Sequence, residues 1–194
     1  MKEAEYLTPE QVKSLLEAAS GTRYGLLFEF LVNTGLRRGE ALALKWRSHV
    51  MEGDGWLKIR GTLTREDGEL VTTSTKTAKS RREVPITERT ADILQQLRAR
   101  QVAERDRAGS QWDETGYVFT TAFGEPCDPR NALRALKAAA EQAGPLGQAR
   151  SDAHRYVRRA QKVCEIGVQP LPETAGGRLP ARETASDLRF LRSG

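Results

Sequence analysis

Residues 33–44 of the 194-residue chain, NTGLRRGEALAL, join a glycine-flanked turn, two adjacent arginines and the start of an apolar segment. Gly35 and Gly39 bracket Arg37 and Arg38. Glycine is typical of helix ends, so this stretch predicts a boundary between two helices. The arginines admit two interpretations. They compensate the macrodipole at the C-terminus of the preceding helix, or a rigid turn presents a guanidinium to a partner.

Two helices are predicted upstream of the arginines. Residues 7–19, LTPEQVKSLLEAA, open with a capping box between Thr8 and Gln11, and an apolar stripe with helical spacing follows. Residues 24–34, YGLLFEFLVNT, are apolar on nearly every face, which is typical of a centrally buried helix. This second helix is expected to end at Gly35.

A third helix is expected to begin near Arg38 or Gly39. Its apolar positions are Ala41, Leu42, Leu44 and Trp46.

The hydrophobic period then changes to that of β-strands. Residues 55–65 (GWLKIRGTLTR), 69–77 (ELVTTSTKT) and 82–86 (REVPI) are rich in β-branched and apolar residues. The sequence EDGE at 66–69 supplies a turn between the first two. We therefore predict three consecutive strands in an antiparallel meander.

Two later helices complete the pattern. Residues 87–107 have Thr87 or Thr90 as a cap, and residues 128–144 begin with the cap Asp128 and end in glycine. The predicted fold class is α+β: a mainly helical body with a three-stranded antiparallel β-sheet, followed by an irregular tail.

Composition narrows the class of protein. A mean hydropathy of −0.58 and the absence of an apolar run of about 20 residues argue against a membrane protein. The N-terminus has no apolar core of a secretory signal, and Cys127 and Cys164 form no metal or disulfide spacing. A cytoplasmic location without metal or cofactor is therefore expected. Of the net charge of +5, residues 146–194 carry +4, so DNA binding has to rest on local clusters in the body.

Three segments together resemble the catalytic domain of tyrosine recombinases, the phage integrases. They are LTPEQVKSLLEAA, TGLRRGEALALKW at 34–46 and TKTAKSRREVPI at 75–86. The most specific elements are G-L-R-x-G-E followed by A-L-x-W, and a Lys-Thr pair before R-x-V-P. The resemblance covers about residues 6–145. It implies site-specific DNA recombination, in which a tyrosine attacks a DNA phosphate and leaves a 3′-phosphotyrosyl link.

The resemblance assigns roles to individual residues. Arg37 matches the first catalytic arginine, which binds the scissile phosphate, because a guanidinium can meet two phosphate oxygens at once. Lys76 matches the lysine that protonates the departing 5′-oxygen, and Lys79 is the alternative for this role. Glu40 matches an acid that orients the arginine or caps the helix. The expected DNA-binding residues are Arg38, Lys79, Arg81 and Arg82.

The rest of the family pattern is not recognisable. His154 has Val157 rather than arginine three residues later, and Arg158 lies at a different spacing. Tyr156 lies where the second His/Arg motif belongs, far upstream of the expected nucleophile. We expect residues 1–145 to form a partial catalytic domain and residues 146–194 to form an atypical basic tail, partly helical or disordered.

The sequence therefore predicts a truncated, catalytically incompetent recombinase from a mobile element. The alternative is a non-enzymatic DNA-binding module that interferes with a full-length recombinase. Double-stranded DNA is the expected partner, with other recombinase protomers as a further one. Neither a membrane nor a small-molecule ligand is expected.

Overall fold

The computed structural model describes residues 7–51, 55–74 and 81–144. Predictions about residues 145–194, including His154, Tyr156 and the tail, lie outside the described residues. The helices are α1 (Pro9–Ala19), α2 (Gly25–Thr34), α3 (Arg38–Leu42), α4 (Trp46–His49), α5 (Glu88–Ala108) and α6 (Pro129–Gln142). The strands are β1 (Val50–Met51), β2 (Trp56–Ile59), β3 (Gly61–Glu66), β4 (Glu69–Ser74) and β5 (Arg82–Pro85).

Local sequence signals define the helix ends. The predicted capping box of α1 is present: Gln11 N–H donates to Thr8 Oγ1, and Thr8 N–H donates to Gln11 Oε1. Gly35 ends α2 in the left-handed conformation, with φ of 68°. Thr87 caps α5, and Asp128 caps α6. These boundaries were predicted because each depends on residues within one turn of the helix end.

The predicted third helix is shorter than expected. Helix α3 ends at Leu42, Ala43 forms a turn, and the backbone is extended at Lys45 before α4 begins at Trp46. The Leu44 carbonyl accepts a hydrogen bond from Val118 N–H, and Trp46 N–H donates to the Gly116 carbonyl. Backbone pairing with a distant segment has therefore replaced the helical hydrogen bonds.

The strand order also differs from a meander. The stretch predicted as one strand at 55–65 is divided into β2 and β3 at Arg60. Strands β3 and β4 form a two-stranded hairpin, whereas β5 pairs with β2 in a sheet of order β1-β2-β5. All described strand pairs are antiparallel. The α+β class and a three-stranded antiparallel sheet are confirmed, but the three strands are not consecutive.

One hydrophobic core joins the helices to both sheets. Helix α2 lies at its centre, with Phe30 and Leu31 fully buried, and the ring of Phe30 meets that of Phe119 edge-on at 5.3 Å. Leu36 and Leu63 are also buried in this core, so the α2–α3 turn and β3 are both fixed to it. None of the helices in the described parts of the chain is long and apolar enough to cross a membrane.

Candidate functional site

The α2–α3 turn is held rigidly on both sides of the arginines. Gly35 closes α2, and the buried Leu36 anchors the turn in the core. Gly39 packs against β3 so closely that an added Cβ would lie 2.5 Å from Thr62 Cγ2 and 3.1 Å from the Leu63 carbonyl oxygen. A side chain at position 39 would therefore push α3 away from β3. Arg37, between these anchors, starts from a fixed backbone.

Arg37 faces outward while one of its nitrogens is held from within. Its side chain is 54% exposed, and its Nη1 lies 3.3 Å from Glu40 Oε1. The backbone N–H of Arg37 also donates to Glu40 Oε2 at 2.9 Å. A charged, planar donor group is thus presented to solvent from a fixed position, which suits it to bind an oxyanion.

Glu40 is a buried carboxylate, with a side chain only 1% exposed. Besides Arg37 it binds Arg82, whose Nη1 and Nη2 donate to Oε1 at 3.2 Å and to Oε2 at 2.8 Å. Burial by itself raises the pKa of Glu40. The hydrogen bonds and charges of Arg82 and Arg37 outweigh burial, so this pKa lies below its usual value. Glu40 is therefore a charged bridge between two arginines.

Arg38 faces a different environment from Arg37. It is half-buried, and its Nε is buried without a hydrogen-bond partner among the described residues. Burial lowers the pKa of Arg38, and the nearby carboxylate of Asp128 opposes this shift. Arg65 Nε donates to Asp128 at 3.0 Å, which connects the β3–β4 hairpin to the start of α6. Arg38 is thus partly buried near Asp128, and its contact with DNA remains a prediction.

The remaining predicted site residues follow β4. Ser74, the last residue of β4, pairs with Gly61, and Arg82, the first residue of β5, pairs with Ile59. The two strands thus reach neighbouring positions of the β2–β3 junction, next to α3. Arg81 is exposed at the start of this return. Lys76 and Lys79 lie outside the described residues.

The contact between Arg82 and Glu40 was not predicted from sequence. Arg82 was expected to face DNA, whereas its guanidinium has an internal partner 42 positions away. A signal was present: Glu40 precedes the apolar run Ala41–Leu44, and an acid buried there needs a cationic partner. Sequence alone did not identify which arginine fills that role.

The fold and the arginine-bearing turn define the class of protein. The chain belongs to the phage integrase family, whose model matches residues 5–159. A protein called tyrosine recombinase XerC-like from Caldanaerobacter subterraneus subsp. tengcongensis is 35% identical over 179 residues, which cover 86% of this chain and 45% of that protein. An integrase from Streptomyces ambofaciens is 32% identical over 152 residues, 72% of this chain and 37% of its own. The chain thus spans less than half the length of these curated relatives.

Solved structures confirm the fold. The Tn1549 transposon integrase, solved in complex with transposon right end DNA, superimposes with a TM-score of 0.65 at 18% identity. The match covers 87% of this chain and 56% of that integrase. XerA recombinase matches with a TM-score of 0.57 at 21% identity, covering 87% of this chain and 53% of its own.

Proposed function

We propose that this chain acts on double-stranded DNA as the phosphate-binding part of a tyrosine recombinase catalytic domain, in site-specific recombination. The observation that carries the proposal is the Arg37 guanidinium, exposed on one side and fixed by the buried Glu40 on the other. The family supports DNA as the substrate. So does the Tn1549 integrase, which was solved in complex with transposon right end DNA.

The proposed reaction is transesterification at one phosphodiester. A tyrosine oxygen bonds to phosphorus, the bond to the 5′-oxygen breaks, and the departing oxygen takes up a proton. Negative charge grows on the non-bridging oxygens as the tyrosine attacks. Arg37 neutralises that charge from a preorganised position, an effect that in enzymes typically lowers the barrier by about 3–4 kcal/mol per donor. Lys76 supplies the proton to the leaving oxygen.

We further propose that the chain alone does not cleave DNA. Of the residues that the structure describes, two are tyrosines, and both have other partners. Burial raises the pKa of Tyr24 to about 12, and its hydroxyl contacts the Cys127 thiol. Tyr117 has its hydroxyl 2.8 Å from Thr72 Oγ1 and its ring under the Lys45 ammonium. A raised pKa is the reverse of what a nucleophile needs, and the Tyr117 ring serves as a packing surface.

Phosphate binding is tested by measuring DNA affinity against salt concentration. The probe is a fluorescent 30-base-pair duplex of random sequence, and the wild type is compared with Arg37→Ala. Removing one phosphate contact should weaken binding to every sequence and reduce the slope of log affinity against log salt by about 0.9. Arg81→Ala should do the same, because Arg81 is an exposed arginine beside the site. Arg107→Ala, which removes an exposed charge at the end of α5, is the matched control. An unchanged slope for Arg37→Ala would refute this role.

Cleavage is tested with a pool of randomised duplexes that carry a nick. After cleavage beside the nick, the short fragment with the free 5′-hydroxyl dissociates and cannot be religated, so the covalent protein–DNA product accumulates. We expect a mobility shift in native electrophoresis but no covalent protein–DNA adduct after denaturing electrophoresis. This result corresponds to a DNA-binding module, which could compete with a complete recombinase for its site. An adduct that Tyr156→Phe abolishes would show instead that the chain is an active strand transferase.

A further inference from the structure

Arg82 and Glu40 form a specific bidentate ion pair rather than part of a general basic surface. Both terminal nitrogens of Arg82 point at the two oxygens of one carboxylate, at 3.2 and 2.8 Å. The same two oxygens hold Arg37, one through its side chain and the other through its backbone N–H. Each oxygen of Glu40 therefore accepts one hydrogen bond from each arginine.

We propose that Arg82 is a positioning residue: it fixes Glu40, and through Glu40 it sets the direction of the Arg37 guanidinium. This inference rests on the proposed function, because it gives a role to the phosphate-binding arginine. In this arrangement Arg82 does not bind DNA itself. Its charge compensates the buried carboxylate, which would otherwise draw Arg37 inward to serve as its sole counter-ion.

The bidentate geometry makes arginine necessary at position 82. A guanidinium presents two parallel N–H donors that match the two oxygens of a carboxylate, whereas an ammonium approaches as a single point charge. Lysine at position 82 would retain the charge but would hold only one oxygen of Glu40. The other oxygen of Glu40 would then compete with a DNA phosphate for the Arg37 guanidinium.

The contact also connects two parts of the site that are far apart in sequence. Glu40 lies in α3, directly after the arginine-bearing turn, and Arg82 is the first residue of β5. Strand β5 follows the segment that carries Lys76, and it is paired with β2 from its first residue. The single buried carboxylate of Glu40 therefore fixes the position of the start of β5 relative to the arginine-bearing turn.

The experiment compares Arg82→Lys with the wild type in the full 194-residue chain. The first readout needs no DNA: ¹⁵N relaxation of the Arg37 Nε–H group, assigned with Arg37→Ala, reports how rigidly the guanidinium is held. The second is the salt dependence of binding to the random 30-base-pair duplex. Arg107→Lys is the matched control, since it makes the same exchange at an exposed position.

The proposal predicts that Arg82→Lys mobilises Arg37 and reduces the salt slope by about 0.9, as Arg37→Ala does. The double variant Arg37→Ala/Arg82→Lys should lose no more than Arg37→Ala alone. If Arg82 bound DNA directly, lysine would retain the contact and the slope would stay at the wild-type value. If its role were only structural, the melting temperature would fall while the Arg37 dynamics and the salt slope stayed unchanged. Either result would overturn the proposal.

Glu40→Gln provides a second test that does not depend on the folding of Arg82→Lys. The amide keeps one acceptor oxygen but removes the charge that holds both arginines. Positioning predicts weaker DNA binding and a mobile Arg37. Tighter binding would mean that the carboxylate merely withholds two DNA contacts, and it would overturn the proposal. If Arg37→Ala did not weaken DNA binding, the proposed function would be refuted. The relaxation measurement on Arg37 needs no DNA, so it would still decide the positioning role.

Discussion

Gly39→Ala tests the packing that presents the arginines. The added Cβ would lie 2.5 Å from Thr62 Cγ2 and 3.1 Å from the Leu63 carbonyl oxygen. Carbon atoms pack best at about 3.5–4.0 Å, so the Thr62 methyl group must move by about 1 Å. The backbone oxygen of Leu63 needs a few tenths of an ångström more. Overpacking of this kind costs about 1–3 kcal/mol, against about 1 kcal/mol gained from the higher helix propensity of alanine.

The expected result is a net loss of about 1 kcal/mol in the free energy of unfolding, measured by urea denaturation with tryptophan fluorescence. Thr62→Ser removes the methyl group that clashes, so Gly39→Ala should cost less in that background, with a coupling of about 1 kcal/mol. Gly21→Ala is the control, because no atom lies within 4 Å of its added Cβ. If Gly39→Ala stabilised the protein by the full propensity gain, α3 and β3 would not be in close contact and this account of the turn would fail.

Three further predictions follow from single residues. Gln101→Leu should lower the free energy of unfolding by about 2–3 kcal/mol. Gln101 accepts a hydrogen bond from Trp46 Nε1 at 2.7 Å and donates one to the Val118 carbonyl at 3.1 Å, and leucine would leave both partners unpaired. Urea denaturation measures the loss, and an unchanged midpoint would contradict this prediction. Because the folded-state pKa of Glu40 lies below its usual value, its stabilising contribution is present above that usual value and is lost as pH falls through the folded one. Glu40→Gln should therefore lower stability near neutral pH and flatten its acid dependence, as followed by urea titrations, and an equally steep acid loss in the variant would refute this origin. Burial raises the pKa of the Cys127 thiol to about 11, so the thiol stays protonated and unreactive at about pH 8. Peptide mapping after iodoacetamide treatment should therefore find Cys127 unmodified until urea unfolds the chain. Rapid alkylation in the native state would contradict this prediction, because it would show an accessible thiol.

Local sequence rules were sufficient for the helix ends. Thr8, Gly35, Thr87 and Asp128 each mark a boundary because capping depends on a few neighbouring residues. The same rules predicted the turn between β3 and β4, where Asp67 and the glycine after it adopt positive φ.

Where the structure differs from the sequence prediction, the cause is hydrogen bonding between segments that are far apart in the chain. Nothing local in residues 43–46 signals that Leu44 and Trp46 exchange backbone hydrogen bonds with residues 116–118, so the break between α3 and α4 was missed. The division at Arg60 likewise depends on β2 pairing with β5 and β3 pairing with β4. The turn that carries Arg37 was predicted because it is a local pattern, whereas the contact between Glu40 and Arg82 joins residues 42 positions apart.

The central claim is that Arg37 binds a DNA phosphate, and its most direct test is an NMR titration of the arginine side chains. The Nε–H signal of Arg37 is followed in ¹⁵N-labelled protein as a 30-base-pair duplex is added, with Arg107 as the internal reference. The account predicts that the Arg37 signal shifts along the binding isotherm and that its guanidinium becomes more ordered, while the Arg107 signal stays in place. A duplex that saturates the protein without moving the Arg37 signal would contradict the claim.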